Sequence, residues 1–407
     1  MTPIYNTAFA HGVLNANGPT SGAMWDGVGD AGGTVSISST INRRSGGFSL
    51  DLNKTVTTST TLYRYRSFTA SAVVVLRVYI RFQTSLPSGL CWFFALEDSG
   101  GAGDLEIGFN SSDNKLRVKF ASGTETISSS TVTADTWYRL DIRADVSSSS
   151  TYTCDWSIDG ITQTQHTKAV SAARTIDRVV FGNGLTANTL AYRVNYTDFV
   201  LSTTSGDYPI GAGTGYYLLP NDQGTHVNSG RFQDGDSTAI DANSEALLDD
   251  WPPVQTGGNT DYVKQITADG AGEDSYLEIL MQDRSDSEGT INAVEAFVAY
   301  SAATTTSNNA ATVVKRNDGT QVAVHGSFAS PADYSDGSIT NWFYAAAQVT
   351  PPGGGWTTSE LDALVFRFGG STDTNPNPYV SGLLIEYDVA PAAGGGGGNP
   401  WHAYAQQ

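Results

Sequence analysis

The 407 residues predict an all-β chain built as two β-sandwich domains. Three observations carry that expectation. Short segments alternate apolar and polar residues with a period of two, Gly, Ser, Asn and Asp punctuate them, and β-branched and aromatic residues are enriched inside them.

Taken in order, the alternating segments of the first half are Phe48–Leu52, Val75–Phe82, Leu105–Phe109, Leu116–Phe120, Tyr138–Arg143 and Tyr192–Tyr196. Each reads as an antiparallel strand with one buried face. The turns between them carry residues that tolerate positive φ, as in Asp98–Gly101, Ser111–Asn114 and the Asp159-Gly160 pair after Ile158. Residues 1–206 are therefore expected to form one sandwich. At residues 203–215 the alternation stops, and a glycine-rich stretch, Gly211 to Gly215, reads as a flexible linker: it opens no helix and lacks the lysine of a phosphate loop.

Strand candidates resume at Asp261–Ile266, Ser275–Leu280, Ala293–Tyr300, Thr312–Lys315, Val322–His325, Trp342–Ala346, Leu364–Phe368 and Gly382–Val389, enough for a second sandwich over 207–390. The alanine-rich stretch around Glu295 competes between helix and strand, and its alternating neighbours favour strand. One short helix is expected where Thr357 precedes Glu360, the Thr-x-x-Glu spacing of a capping box. Residues 391–407 form a glycine tail ending in an aromatic peptide, and Trp401 and Tyr404 are its expected anchors on a neighbouring subunit or protein.

Composition narrows the classes. With 39% hydrophobic, 11% aromatic and only 15% charged residues, the chain has a core to bury and is not a disordered protein. No run approaches the ~18 apolar residues of a membrane span, and the first residues lack the basic flank and apolar stretch of a secretory signal. The formal charge of −19 is not spread evenly: residues 1–206 carry 16 Lys and Arg against 16 Asp and Glu, and residues 207–407 carry 6 against 25. An acidic surface repels phosphate backbones, so no nucleic-acid partner is expected. Its plain reading is solubility; a docking face for a basic partner is the sharper one. The two cysteines, Cys91 and Cys154, sit in apolar strand-like stretches, which excludes a disulfide scaffold and a Cys-rich zinc site and leaves a single bridge open.

The series Phe48–Leu52, Val78–Pro87, Leu105–Phe109 with Lys115–Phe120, Asp135–Ile142, Ser157–Gly160 and Tyr196–Leu201 resembles the concanavalin-A-like, laminin-G-like jelly roll. The resemblance covers about half the chain and implies that Trp137 packs the core and that Asp159-Gly160 makes a hairpin. The segment Tyr208–Thr225, with Asp261–Val263 and Ile291–Ala296, looks like one that follows a lectin-like jelly roll in tailed-bacteriophage structural proteins. That resemblance implies a virion protein assembled in the bacterial cytoplasm, with other virion proteins as partners and a homo-oligomeric state.

Catalytic patterns are sparse. Glycoside hydrolases of this jelly roll use Glu-x-Asp-x-x-Glu on one strand face. Glu273 to Glu278 has another spacing, and Asp104 with Glu106 lacks a third carboxylate, so both read as solvated surface. There is no Gly-x-Ser-x-Gly elbow, and His11, His166, His226, His325 and His402 show no ligand spacing, reading as surface or loop histidines. The acidic clusters Asp234–Asp241 and Asp283–Glu288 lack an EF-hand pattern; exposed turns are the default for them, with a Ca2+ site as the alternative. No other cofactor is implied. For sugar stacking the candidates are Trp92, Trp137, Tyr138 and Trp156, with Trp137 and Trp156 favoured as core.

The expectation is thus a non-enzymatic structural protein of a tailed-phage virion, tail-associated, whose lectin-like module contacts host glycans. A head decoration protein is the first alternative and a degenerate glycoside hydrolase the second.

Overall fold

The computed structural model describes residues 3–7, 25–43, 47–98, 105–121, 123–183, 189–226, 232–234, 238, 240, 245–249, 262–265, 276–284, 289–302, 310–315, 321–325, 334–335, 338–339, 343–351, 355–370 and 378–391. Trp401, Tyr404, Asp104, Glu273, His11, His402 and parts of both acidic clusters lie outside these residues.

The alternating segments become strands. In the first half these are β1 (Pro3–Thr7), β2 (Gly27–Asp30), β3 (Gly33–Ser38), β4 (Ser49–Lys54), β5 (Leu62–Ser71), β6 (Val73–Phe82), β7 (Cys91–Glu97), β8 (Leu105–Asn110), β9 (Lys115–Phe120), β10 (Thr126–Thr131), β11 (Tyr138–Asp145), β12 (Thr151–Ile158), β13 (Ile161–Thr162), β14 (His166–Ala169), β15 (Ile176–Gly182) and β16 (Tyr192–Ser202). They form a nine-stranded sheet, in the order β13-β12-β11-β6-β16-β4-β3 with β1 on β16 and β14 on β12, and a seven-stranded sheet, β10-β9-β8-β7-β15-β5-β2. All pairings are antiparallel, both between successive strands such as β8-β9 and β11-β12 and between strands distant in sequence such as β6-β11 and β6-β16. Period two decides which side chains meet between the sheets: Leu76, Val78, Ile80 and Phe82 from β6 face Ile107 and Phe109 from β8 in one core. There Phe82 meets Phe93 edge-on at 5.2 Å. Burying each such ring is worth about 1.5–3 kcal/mol, and the edge-on pair adds about 1 kcal/mol. This is the concanavalin-A-like jelly roll.

The second half adds β17 (Thr214–Leu218), β18 (Pro220–Gln223), β19 (Phe232–Gln233), β20 (Val263–Gln265), β21 (Leu277–Met281), β22 (Thr290–Ala302), β23 (Ala310–Lys315), β24 (Gln321–His325), β25 (Tyr334–Ser335), β26 (Ser338–Ile339), β27 (Phe343–Gln348), β28 (Val365–Gly370) and β29 (Pro378–Ala390). A six-stranded sheet, β19-β20-β29-β22-β27 with β17 on β29, faces a five-stranded one, β18-β21-β28-β23-β24. The Glu295 stretch is strand, within β22, and the helix α1 (Thr358–Asp362) starts at Thr357 with both halves of the capping box made.

The strap joining the sandwiches corrects the flexible-linker expectation. Gly211 N–H donates to Asp141 Oδ1 (2.8 Å), Gly213 N–H to the Tyr79 hydroxyl (3.4 Å) and Gly215 N–H to Asp198 Oδ1 (2.8 Å). Glycine is needed at 213 for closeness: a Cβ there would overlap the Arg77 guanidinium. Arg77, fully buried, crosses beneath the strap to pair with Asp388 of β29. Tyr262, Phe297, Ala299 and Leu384 of the second half join the core cluster of the first.

Cys91 and Cys154 are both buried, on opposite sheets, and form no disulfide. Burial, ahead of the neighbouring Asp155 carboxylate, pushes the Cys154 thiol well above its ordinary range, so it is an inert core group. Trp156 lies in the core as expected. Trp137 does not: it shares the parity of Arg139 and Asp141 on β11, which places it outside the nine-stranded sheet, half-buried, with its indole N–H donating to the Asn42 carbonyl (3.3 Å). The expected hairpin at Asp159-Gly160 is present, with φ of 52° and 83°.

Candidate functional site

The outer face of the seven-stranded sheet gathers aromatic rings laid flat on glycines. On the edge, β2 pairs with β5 so that Gly27 stands opposite Tyr65 and Gly29 opposite Tyr63. Lacking side chains, the two glycines let the tyrosine rings lie down over the strand. A Cβ at Gly29 would come within 2.5 Å of Tyr63 Cε1, and one at Gly27 would overlap the Tyr65 ring. The rings are half-buried and nearly parallel, with centroids 6.1 Å apart and 27° between planes. The Arg178 guanidinium sits 5.0 Å from the Tyr65 ring centroid.

Towards the other edge the same device recurs. Gly108 of β8 stands opposite Trp92 of β7, and a Cβ at 108 would lie 2.5 Å from Trp92 Cε3. The Lys119 ammonium covers the indole at 4.1 Å and bonds Glu106 Oε2 at 2.9 Å. Register ties the two ends into one row across the sheet, Gly27, Tyr65, Val180, Ala95, Glu106 and Lys119. Val180 and Ala95 give the row a small, apolar floor. Arg117, in the next row beside Gly108, is held by Asp113 (2.9 Å) and Glu125 (2.8 Å). The face thus offers two half-open tyrosine rings, an indole capped by an ammonium, and charges that come in opposed pairs. Such a surface takes flat ligands with apolar C–H faces and hydroxyl rims.

Sequence reasoning found part of this face. Trp92 is on it, but beneath Lys119 and only 6% exposed. Tyr138 lies on the other sheet, its hydroxyl accepting from Thr133 N–H (2.9 Å). Tyr63, Tyr65 and Arg178 were not among the candidates, although Gly27-x-Gly29 and Tyr63-x-Tyr65 share the period that pairs them. Glu106, expected as solvated surface, is 6% exposed, because Lys119 folds over it. Glu278 is likewise engaged, by Arg367 at 2.7 Å. His166 is no loop histidine: it is 2% exposed on β14, where its Nε2 accepts from Phe120 N–H (3.1 Å). Of the acidic clusters, Asp234 Oδ1 accepts from Thr238 N–H. Among the described residues no group of three or more His, Cys, Asp or Glu is placed to hold a metal ion.

No protein-family model and no curated protein sequence matches the chain. Solved structures do. A cellulose-induced protein, Cip1, is similar at 18% identity and a TM-score of 0.37, over 49% of this chain and 97% of that one. An endo-β-1,4-glucuronan lyase from the fungus Trichoderma reesei is similar at 16% identity and a TM-score of 0.35, over 47% and 98%. A Bacillus licheniformis β-glucanase is similar at 15% identity and a TM-score of 0.30, over 50% and 98%. These likenesses concern the fold alone. They correct the expectation of a non-enzyme: a glucuronan lyase and a β-glucanase stand among the similar structures. The first half has the two antiparallel sheets of a concanavalin-A-like jelly roll.

Proposed function

We propose that the chain is a glycan-engaging component of a tailed-phage virion, carried at the tail, whose outer seven-stranded face lies against host polysaccharide. One observation carries the glycan reading: Tyr63 and Tyr65 lie side by side on Gly27 and Gly29 as a flat, half-exposed aromatic platform. A pyranose ring has an apolar C–H face that such a platform desolvates and an equatorial hydroxyl rim that Arg178 can reach as a donor. The virion placement rests on the resemblance of Tyr208–Thr225 and its companions to phage structural segments.

The test is a glycan array and calorimetric titration with the whole chain and with Tyr63→Ala/Tyr65→Ala. The expected result is saturable binding to at least one bacterial surface polysaccharide, lost in the double variant while its circular dichroism is unchanged. Equal binding by both proteins, or none by either, overturns the glycan reading. Gold-labelled antibody on assembled particles decides the placement: label at the tail supports it, and label spread over the head overturns it.

A further inference from the structure

The aromatic platform has two tiles, and the backbone sets their spacing. Tyr63 and Tyr65 stand two residues apart on β5, so the strand period puts both on the outer face. Gly27 and Gly29 repeat that period on β2, one glycine under each ring. The half-exposed rings are 6.1 Å apart between centroids, with 27° between their planes. That separation matches, to within a bond length, the repeat of successive pyranoses in a chain linked through equatorial oxygens. Such a chain is an extended ribbon whose rings stay near one plane and present C–H faces, whereas an axial linkage turns each ring away from the last.

The open surface also has a direction. Across the sheet from Tyr65 it is closed: Val180 is 1% exposed, Ala95 4%, and Trp92, under Lys119, 6%. Along β5 it stays open through both rings to the exposed Ser67. Arg178 stands at the Tyr65 end. Its guanidinium lies 5.0 Å from the ring centroid, beyond the ~3.5–4.0 Å of face contact, so it flanks the tile and leaves it uncovered. The Asp177 carboxylate is 3.9 Å away, and among the described residues the guanidinium donates no hydrogen bond. The geometry points to a ligand of two or more successive equatorially linked pyranoses, a polysaccharide ribbon that runs along β5 with one ring on Tyr63, the next on Tyr65 and an acceptor oxygen on Arg178. The inference rests on the glycan reading and adds to it the linkage class, the minimum length and the direction of the chain. Both tiles are seated before the ligand arrives, and the second sugar of a bound ribbon meets its tile intramolecularly, so affinity rises more steeply than the number of rings.

Calorimetric titration of the whole chain tests this with cellotetraose, chitotetraose and β-linked mannotetraose, all equatorially linked ribbons, against their own monosaccharides and against maltotetraose, which an axial linkage curves. At least one ribbon is expected to bind about tenfold or more tighter than its monosaccharide and than maltotetraose. Tyr63→Ala and Tyr65→Ala, with wild-type circular dichroism, are each expected to remove that length advantage. Gly29→Ala keeps both tyrosines but puts a Cβ 2.5 Å from Tyr63 Cε1, so it should unseat that ring alone and remove the advantage too. A monosaccharide that binds as well as its tetrasaccharide, maltotetraose that equals the best ribbon, or an advantage that survives any of the three variants overturns the inference and leaves the glycan reading standing. Failure of every tetrasaccharide, with a polysaccharide still bound on the array, does the same. Binding of no saccharide at all overturns both.

Discussion

His166 fastens the two sheets of the jelly roll to each other. It belongs to β14 of one sheet, accepts from Phe120 N–H of the other at 3.1 Å, and lies 2.9 Å from Thr126 Oγ1. Because Nε2 accepts, the single proton of the neutral ring is on Nδ1 and donates to Thr126. Burial, then the nearby Lys168, lowers its pKa from the ordinary 6.5. The unfolded chain therefore takes the proton first as pH falls. The latch is fully present above pH 6.5 and is lost as pH drops from there through the folded value, with a slope of up to about 1.4 kcal/mol per pH unit. Denaturation midpoints measured from pH 8 to 5 should fall for the wild type, and His166→Gln should remove that share of the slope; identical slopes would refute the latch. At the glycan platform, Gly27→Val should lift the Tyr65 ring and weaken saccharide binding about tenfold without touching a ligand atom. If affinity is unchanged, the ring seat is irrelevant. Neither feature was legible along the chain. His166 is flanked by polar residues, and Gly27 meets Tyr65 only once the sheet order is known.

At the level of elements, legibility followed the length of the alternation. Val75–Phe82 and Leu105–Phe109 announce their strands and the face that packs between the sheets, but not the burial of the opposite face as well, at Val75, Arg77, Tyr79 and Glu106, which depends on what the folded molecule lays over it. Thr357 and Glu360 announce α1 because a capping box is local: Thr357 Oγ1 accepts from Glu360 N–H at 3.2 Å, and Glu360 Oε2 accepts from Thr357 N–H at 2.9 Å. Thr357→Ala should cost about 1 kcal/mol in chemical denaturation and Thr357→Ser almost none; equal costs would mean that the cap contributes nothing. The strap over residues 208–215 was illegible for the opposite reason. Its glycines look like freedom in the sequence, but their amides are spent on Asp141, Tyr79 and Asp198, residues that only the folded sheet brings under them.

Across the whole molecule, the division of charge between a neutral first half and an acidic second half hides a contact that runs the other way. Arg77 of the neutral half is fully buried and surrenders its guanidinium to Asp388 of the acidic half, with the Asp198 carbonyl completing its bonds at 3.0–3.1 Å. Asp388 also accepts from Asn292 at 2.9 Å, so the pair is a node between the nine-stranded sheet and β29, not an isolated bridge. Removing one member strands the other charge in the interior, which costs about 3–5 kcal/mol, whereas replacing both with apolar residues costs much less. Arg77→Met alone should therefore destabilise the chain more than Arg77→Met together with Asp388→Leu. Because the node joins the sandwiches, the single variant should also split one denaturant transition, followed by tryptophan fluorescence, into two. A single variant no less stable than the double one, with its transition still undivided, would show that the apolar contacts of Phe297, Ala299 and Leu384 hold the sandwiches together without help from the ion pair.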